Sequence, residues 1–484
     1  MTLSSKFHKN NYKLFSILFV LALISGLSTI IYRREHFDDA WFGELAYFLA
    51  QDGVIRSNLF SGMHGWGDRV LMTHKLWVVA TAIWIKIWDF SLYSVKTVNL
   101  PFIIFQIILF RYYSKNIWIL TSLLFITSGV VVRYTFVSRP EIAMASFGFL
   151  SWLAIQKYHH KSEKHWIVVA AISSGITAVF HLQGAIFMSA GAIWLIWYRY
   201  YREVIYYSLI SFATFLIYFT DVVFFNAWEQ YFLQISNDPA TTALRNLSEK
   251  LWNILKIPQM MFHSLGEIPA SLFLFGCIFL RRNKRLKMSD LEKYMMILFL
   301  CFVILINRIT HQYVILMIPF MVTFCSETLS RLRFFENFHW INKKKKWIII
   351  LFFIHITSGF TYNAKLIARN INEESLYSRN QRLEKIIGKD VKTLIAPISF
   401  IFDNIKNKYI IGQAYYHHYQ TIHSKPLTVE EYFNDASRQQ VDVIIFEENP
   451  ITMEYEAPNN LPNLVYGYYL IYSDNRYRIF RLDK

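Results

Sequence analysis

Cysteine is scarce: 484 residues hold only Cys277, Cys301 and Cys325, each inside a strongly apolar stretch. No disulfide framework is expected, and the redox compartment stays open. Acids are also in short supply, 34 against 50 Lys and Arg, which leaves a formal net charge of +16. That imbalance raises nucleic acid as a partner, but the distribution excludes it. The cations fall in short links between apolar runs, without interleaved aromatics on which bases would stack. Polar length is the largest deficit. With 54% hydrophobic residues, 42 Phe, 30 Tyr and a mean hydropathy of +0.27, an ordinary water-soluble domain is excluded. The chain reads as an α-helical polytopic membrane protein.

A spanning helix needs roughly 20 mainly apolar residues, and such runs recur from Leu14 to about Tyr362. Spans are predicted near 14–32, 93–111, 116–134, 140–156, 166–181, 183–198, 204–225, 266–280, 291–306, 311–328 and 347–363, eleven in all. Lys6, Lys9 and Lys13 precede the first run and no small-x-small cleavage site follows it, so it reads as a retained anchor. The segment HKLWVVATAIWIKIWDF, 74–90, is too short and too charged to cross comfortably and reads as an interfacial helix. Alternate connections, RYYSKN, QKYHHKSEKHW, WYRYYRE, RRNKRLKM and RLRFFENFHWINKKKK, are cationic with few acids. Because Lys and Arg gather on the cytoplasmic side, these links and the N-terminus are expected inside, and the loop 33–92 and the chain after 363 outside. The domains are therefore predicted as 1–363 in the membrane and 364–484 as a small extracytoplasmic α/β domain.

That alternation carries Asp38, Asp39, Arg139, Glu141, His181, Arg308 and His311 to one membrane face, where they can line one cavity. Charges inside hydrocarbon cost roughly 2.5–3.5 kcal/mol on insertion scales, so such residues normally face protein or water. Each also has a structural reading. Asp39 is a good first residue for the helix AWFGELAYFLA, Arg139 and Glu141 make an ion pair around Pro140, and the histidines serve as satisfied turn residues. Acids and cations at an outer rim suit transfer of a sugar from a polyprenyl phosphate. The lipid phosphate departs against fixed positive charge, and a carboxylate takes the proton of the incoming hydroxyl, a contribution of about 10²–10⁴-fold. Asp38 and Asp39 sit where a lipid carrier presents its head group.

The order FDDAWFGELAYFLAQDG, THKLWVVATAIWIKIWDFSLYSVKTVNL, SRPEIAM, FHLQGAIF and HQYVILMIP resembles the bacterial GT-C glycosyltransferases, the group that includes lipid A aminoarabinose transferases and protein O-mannosyltransferase-like enzymes. The similarity covers roughly the first 330 residues. It implies an acidic pair opening the first outer loop, with Asp38 as catalytic carboxylate and base and Asp39 as its second member. Lys75, Arg139, His181, Arg308 and His311 are then candidates for the donor phosphate, with Glu44, His74 and Glu141 as further polar candidates. The family's Pro-rich segment is replaced by THKL, and an Arg common at the next span is Lys96 here, without the planar fork that grips phosphate. The implied partners are a polyprenyl-phosphate sugar, a glycan, lipid or protein acceptor, and membrane lipids, in a bacterial inner membrane. No cofactor is identified, and a divalent ion on Asp38 and Asp39 remains an alternative. A transporter or flippase for a lipid-linked sugar is the competing class, weakened by the lack of duplicated halves and by the expectation of uninterrupted helices. An inactive relative acting as an assembly partner is a third reading.

After 363, EESLYSRNQRLEKIIG reads as a helix ending at Gly388, TLIAP and VDVIIFE as strands, and TVEE as a capping box of Thr428 and Glu431. YGYYLIYSDNRYRIFRL reads as a hairpin around Asp474-Asn475, and YYHHYQ as packing rather than a sugar platform. The sequon Asn246-Leu247-Ser248 matters only in a secretory pathway.

Overall fold

The computed structural model describes residues 3–483 apart from 238–247, 249–251, 253, 265, 306–309, 332–342, 424, 449–453, 457 and 459–460. The sequon, apart from Ser248, and Arg308 lie outside the described residues. The apolar runs form helices α1 Leu3–Ser28, α4 Leu92–Thr97, α5 Leu100–Tyr113, α6 Trp118–Thr127, α7 Gly129–Tyr134, α8 Glu141–Lys161, α9 His165–Phe180, α10 Ala185–Trp197 and α11 Tyr201–Leu216. Between α1 and α4 lie α2 Phe37–Asp52 and α3 Lys75–Trp88, the predicted interfacial segment. The bundle continues through α12 Thr220–Phe224, α13 Trp228–Ser236, α14 Ile268–Asn283, α15 Asp290–Leu305, α16 Ile318–Arg331 and α17 Lys343–Asn370.

Every one of the eleven expected crossings falls on helix, but not all are simple rods. Among the described residues, four helical stretches are long and apolar enough to cross a membrane: Tyr12–Tyr32, Leu92–Tyr113, Tyr201–Phe224 and Lys346–Asn370. The crossing expected at 116–134 breaks at Ser128, whose extended backbone separates α6 from α7, and the one at 311–328 opens as a 3₁₀ turn, His311–Leu316. Interrupted helices are tolerated at membrane depth where surrounding protein satisfies the freed backbone. Here α6, α7 and the turn are mostly buried by their neighbours.

The connections sort into two ends. At one, Lys157 lies over Tyr112, His159 touches Tyr198 and Tyr200, and Lys293 donates to the Tyr198 hydroxyl. These contacts bring together RYYSKN, QKYHHKSEKHW and WYRYYRE, three of the cationic links predicted to share the inner face, with the helix that follows RRNKRLKM; residues 332–342 of the fifth link lie outside the described residues. At the other end Arg33 donates to the carbonyls of Val132 and Arg133, His74 meets His181, and Asn370 Nδ2 donates to the Tyr32 carbonyl. One tight turn at this end depends on glycine: a Cβ on Gly184 would lie 2.2 Å from the backbone carbonyl of Thr177, whose hydroxyl donates to the Gly184 carbonyl. This explains the glycine of FHLQG.

Beyond α17 a six-stranded sheet forms in the order β2-β1-β3-β6-β5-β4, with β1 Thr393–Ala396, β2 Tyr409–Gly412, β3 Val443–Glu447, β4 Leu464–Val465, β5 Tyr468–Ser473 and β6 Tyr477–Leu482. β1, β2 and β3 are parallel, and the expected hairpin is β5 and β6. Helices α18 Leu376–Ile387, α19 Gln413–His423 and α20 Val429–Arg438 accompany the sheet. Gly388 ends α18 at φ 86°, and the Thr428 and Glu431 capping box is present. In YYHHYQ, Tyr416 is buried against Tyr432, and His418 lies between Phe37 and Phe60, so these rings pack the interior.

This α/β unit grips the loop 33–92. Arg379 pairs with Glu35 at 2.6 Å, with side chains 4% and 9% exposed, and Arg34 pairs with Glu373. Phe90 stacks on Phe402, and the Gly412 N–H donates to the Leu59 carbonyl.

Candidate active site

The site grows from the start of α2. His36, with extended backbone, precedes the helix and accepts the Asp38 N–H on Nδ1 at 3.2 Å, while the His36 N–H donates to Asp39 Oδ2 at 2.9 Å. This is a capping box with histidine in the place usually held by Ser or Thr. The helix therefore begins two residues before the expected Asp39 start, and Asp39 caps from its third position. Histidine is a poor signal for a cap, because Ser, Thr, Asp and Asn are the residues a sequence reading looks for.

The two acids part company at once. Asp39 is wholly buried: Oδ2 receives Lys96 Nζ at 2.5 Å and Oδ1 receives the Ser138 N–H at 2.8 Å. Lys96 is 1% exposed and donates also to the Arg34 carbonyl at 2.7 Å. The Asp39–Lys96 pair thus bolts α2 and α4 to the turn before α8. Lys96, placed by the resemblance where a phosphate-gripping Arg is common, is occupied with this internal carboxylate instead.

Asp38 points elsewhere. Its Oδ2 is 2.5 Å from Arg139 Nη1, with side chains 12% and 13% exposed, so this pair reaches the edge of the protein. Arg139 turns its other side to Glu141, with Nε 3.0 Å and Nη2 2.8 Å from Oε1. A guanidinium has five N–H groups, so among the described residues Arg139 keeps one donor on each terminal nitrogen for a further anion. Burial disfavours the Asp38 charge, yet Arg139 and His36 outweigh it and hold the carboxyl well below its usual range. Arg139, flanked by two acids, is raised above its ordinary value despite its burial.

Behind this pair the rings of His74 and His181 lie 4.1 Å apart, and His74 packs on Phe42. His181 Nδ1 accepts the Gln183 N–H at 3.0 Å, as a turn histidine does. Burial, and then His181 and Arg139, depress His74 well below its ordinary value, so it is neutral. His311 stacks on His263 at 3.6 Å, and His181 touches Tyr313 in the same turn.

Two other candidates stand apart. Lys75 forms an ion pair with Asp221 and lies over Tyr218, which ties α3 to α12. Glu44 is buried and receives Ser57 Oγ at 2.5 Å and the N–H groups of Asn58 and Leu59 at 2.9 and 3.0 Å, which pins the loop after α2. A divalent ion between Asp38 and Asp39 does not fit, since the oxygens of Asp39 are taken by Lys96, Ser138 and His36. Among the described residues no group of three metal-ligating side chains forms.

Two crystal structures of ArnT from Cupriavidus metallidurans share this architecture, one bound to undecaprenyl phosphate and one in the apo state. The TM-scores are 0.61 and 0.62, over 96% and 97% of this chain and 97% and 98% of theirs, at 10% and 9% identity. The chain has the GT-C fold. No family model and no curated protein matches the sequence. At such low identity the likeness speaks for the fold, and the apolar helices with this GT-C architecture make the chain an integral membrane protein. Among the residues that sequence reasoning passed over, His36 touches Asp38, and Glu35 beside it in the chain pairs with Arg379.

Proposed function

We propose that this protein is an integral-membrane glycosyltransferase that moves a hexosyl or pentosyl unit from a polyprenyl-phosphate donor to an acceptor hydroxyl. The observation that carries the reading is the Asp38–Arg139–Glu141 cluster, buried except for a thin exposed part of Asp38 and Arg139, on the fold that ArnT has when bound to undecaprenyl phosphate. Asp38 is the base. Arg139 supplies fixed positive charge for the departing phosphate, and Glu141 orients its fork. His74 and His181 form the wall beneath. Arg308 and His311 stay on the list of phosphate contacts, while Lys75 reaches phosphate only by leaving Asp221.

The Asp38–Arg139 pair couples donor binding to base strength. A carboxylate so strongly stabilised is a weak base. When a donor phosphate takes part of the Arg139 fork, the carboxylate loses stabilisation and its proton affinity rises, at the moment the acceptor arrives. The acceptor is a glycan, lipid or protein hydroxyl. The reaction is placed at the periplasmic face of a bacterial inner membrane, with the N-terminus cytoplasmic, as the cation distribution indicates.

The test is reconstitution of the full chain in lipid nanodiscs and in vesicles with polyprenyl-phosphate sugars and candidate acceptors, wild type against Asp38→Asn. Product from the wild type alone is expected. Full transfer by the variant would remove the base assignment, and movement of the lipid-linked sugar across vesicles without product would replace the enzyme by a carrier.

A further inference from the structure

The cap of α2 asks one nitrogen to do two things. His36 Nδ1 lies 3.2 Å from the Asp38 backbone N, whose N–H it accepts, and 3.2 Å from Asp38 Oδ2. Accepting the N–H requires a bare Nδ1, whereas pairing with the carboxylate requires a proton on it. The two arrangements therefore differ by one proton. His36 is also the open member of the cluster, its side chain 46% exposed against 12% for Asp38. Arg139 occupies the same carboxylate oxygen from the turn before α8.

We propose that His36 is the positioning residue through which Asp38 passes the acceptor's proton to water, exchanging its cap hydrogen bond for an ion pair with Asp38 as it does so. The inference rests on reading Asp38 as the base. In that step the acceptor O–H bond breaks and its oxygen bonds to the sugar's anomeric carbon. The bond from that carbon to the phosphate oxygen breaks, and its electron pair leaves on the polyprenyl phosphate. The proton passes to Asp38, then to His36 Nδ1, and the imidazolium gives a proton to the water it faces.

A relay is needed because Asp38 cannot hold what it takes. Once the phosphate leaves and Arg139 returns to Asp38, the carboxyl is again held well below its usual range, so a proton left there is expelled. A neutral imidazole whose Nδ1 is bare and 3.2 Å from the carboxylate is placed to receive it. The charged groups around His36 are Asp38 and Asp39 on α2, Arg139 across the carboxylate, and the Arg34–Glu373 and Glu35–Arg379 pairs that anchor the residues before it. His74 lies on the far side of Asp38, neutral.

Substitution separates the relay from the cap. Asn is among the best N-cap residues but does not titrate, so His36→Asn keeps the cap and loses the relay, while His36→Ala loses both. Wild type and both variants in nanodiscs would be assayed with undecaprenyl-phosphate sugars from pH 5 to 9, with melting curves and with added imidazole. For His36→Asn the expected result is wild-type melting, an unchanged KM for the donor, a kcat lowered on the order of 10²-fold with its acid limb flattened, and partial rescue by imidazole. A His36→Asn pH profile that superimposes on the wild type would overturn the inference while leaving the glycosyltransferase reading intact. A wild type that transfers no sugar would overturn both.

Discussion

Lys96→Met tests whether the second acid of the pair is structural. The Asp39 carboxylate and Lys96 ammonium are 2.5 Å apart, with side chains 0% and 1% exposed, so neither has water to fall back on. At an effective dielectric of 20, opposite charges 4 Å apart attract by about 4 kcal/mol, and removing one partner of a buried pair typically costs about 3–5 kcal/mol. In the variant Asp39 keeps the N–H groups of Ser138 and His36 but carries an unbalanced charge. With an unfolding entropy of about 2.1 cal/mol/K per residue, a cooperative unit of 484 residues loses about 1 kcal/mol of stability per degree near its midpoint. The melting temperature should then fall by roughly 3–5 °C, and by more if a smaller unit melts. Asp39→Asn in the same background should recover part of the loss, since a neutral amide no longer needs the cation, with a coupling energy of about 0.5–3 kcal/mol. The measurement is thermal unfolding of the purified chain in nanodiscs for both single variants and the double variant. A Lys96→Met protein that melts within one degree of wild type, with strictly additive effects in the double variant, would refute the bolt and return Asp39 to the chemistry.

Burial pushes Glu44 up from an ordinary value of 4.5 to about 7, against the opposing donors Ser57, Leu59 and Asn58. The folded chain holds this proton more tightly than the unfolded one. The resulting stability is complete below about pH 4.5 and is lost as pH rises through about 7, a swing of about 3 kcal/mol. Glu44→Gln, whose amide can donate to Ser57, should flatten that part of a melting-versus-pH curve, and an unchanged slope would count against it. Arg379→Met leaves Glu35 buried without its partner and should cost about 3–5 kcal/mol. Limited proteolysis should then cut the chain between residues 370 and 376 faster than in wild type, and unaltered cleavage would show that the pair does not hold the α/β unit to the loop 33–92.

Much of the architecture was legible because its signals are local. Apolar length marked the crossings, the cation bias grouped the links that do meet at one end, and the hairpin, the capping box and Gly388 carried their own turn chemistry. The resemblance of FDDAWFGELAYFLAQDG named Asp38, and SRPE supplied the Arg139 that meets it and the Glu141 that holds Arg139. Other features had no local signal. Lys75 read as a phosphate ligand because nothing near it in the chain announces Asp221, which packs beside it from α12. His36 was passed over because imidazole is not a usual cap, and Glu44 read as a polar site candidate because nothing near it in the chain announces that the loop 57–59 folds over its carboxylate.

By itself, then, the sequence determined the apolar helices that make this an integral membrane protein and the presence of two adjacent carboxylates, set by transfer free energies and spacing along one chain. Only the tertiary structure decided that one of those carboxylates is sealed onto Lys96 while its neighbour faces Arg139 at the edge. Adjacent residues on a helix point about 100° apart, so which of two neighbouring acids meets water depends on what packs against each face.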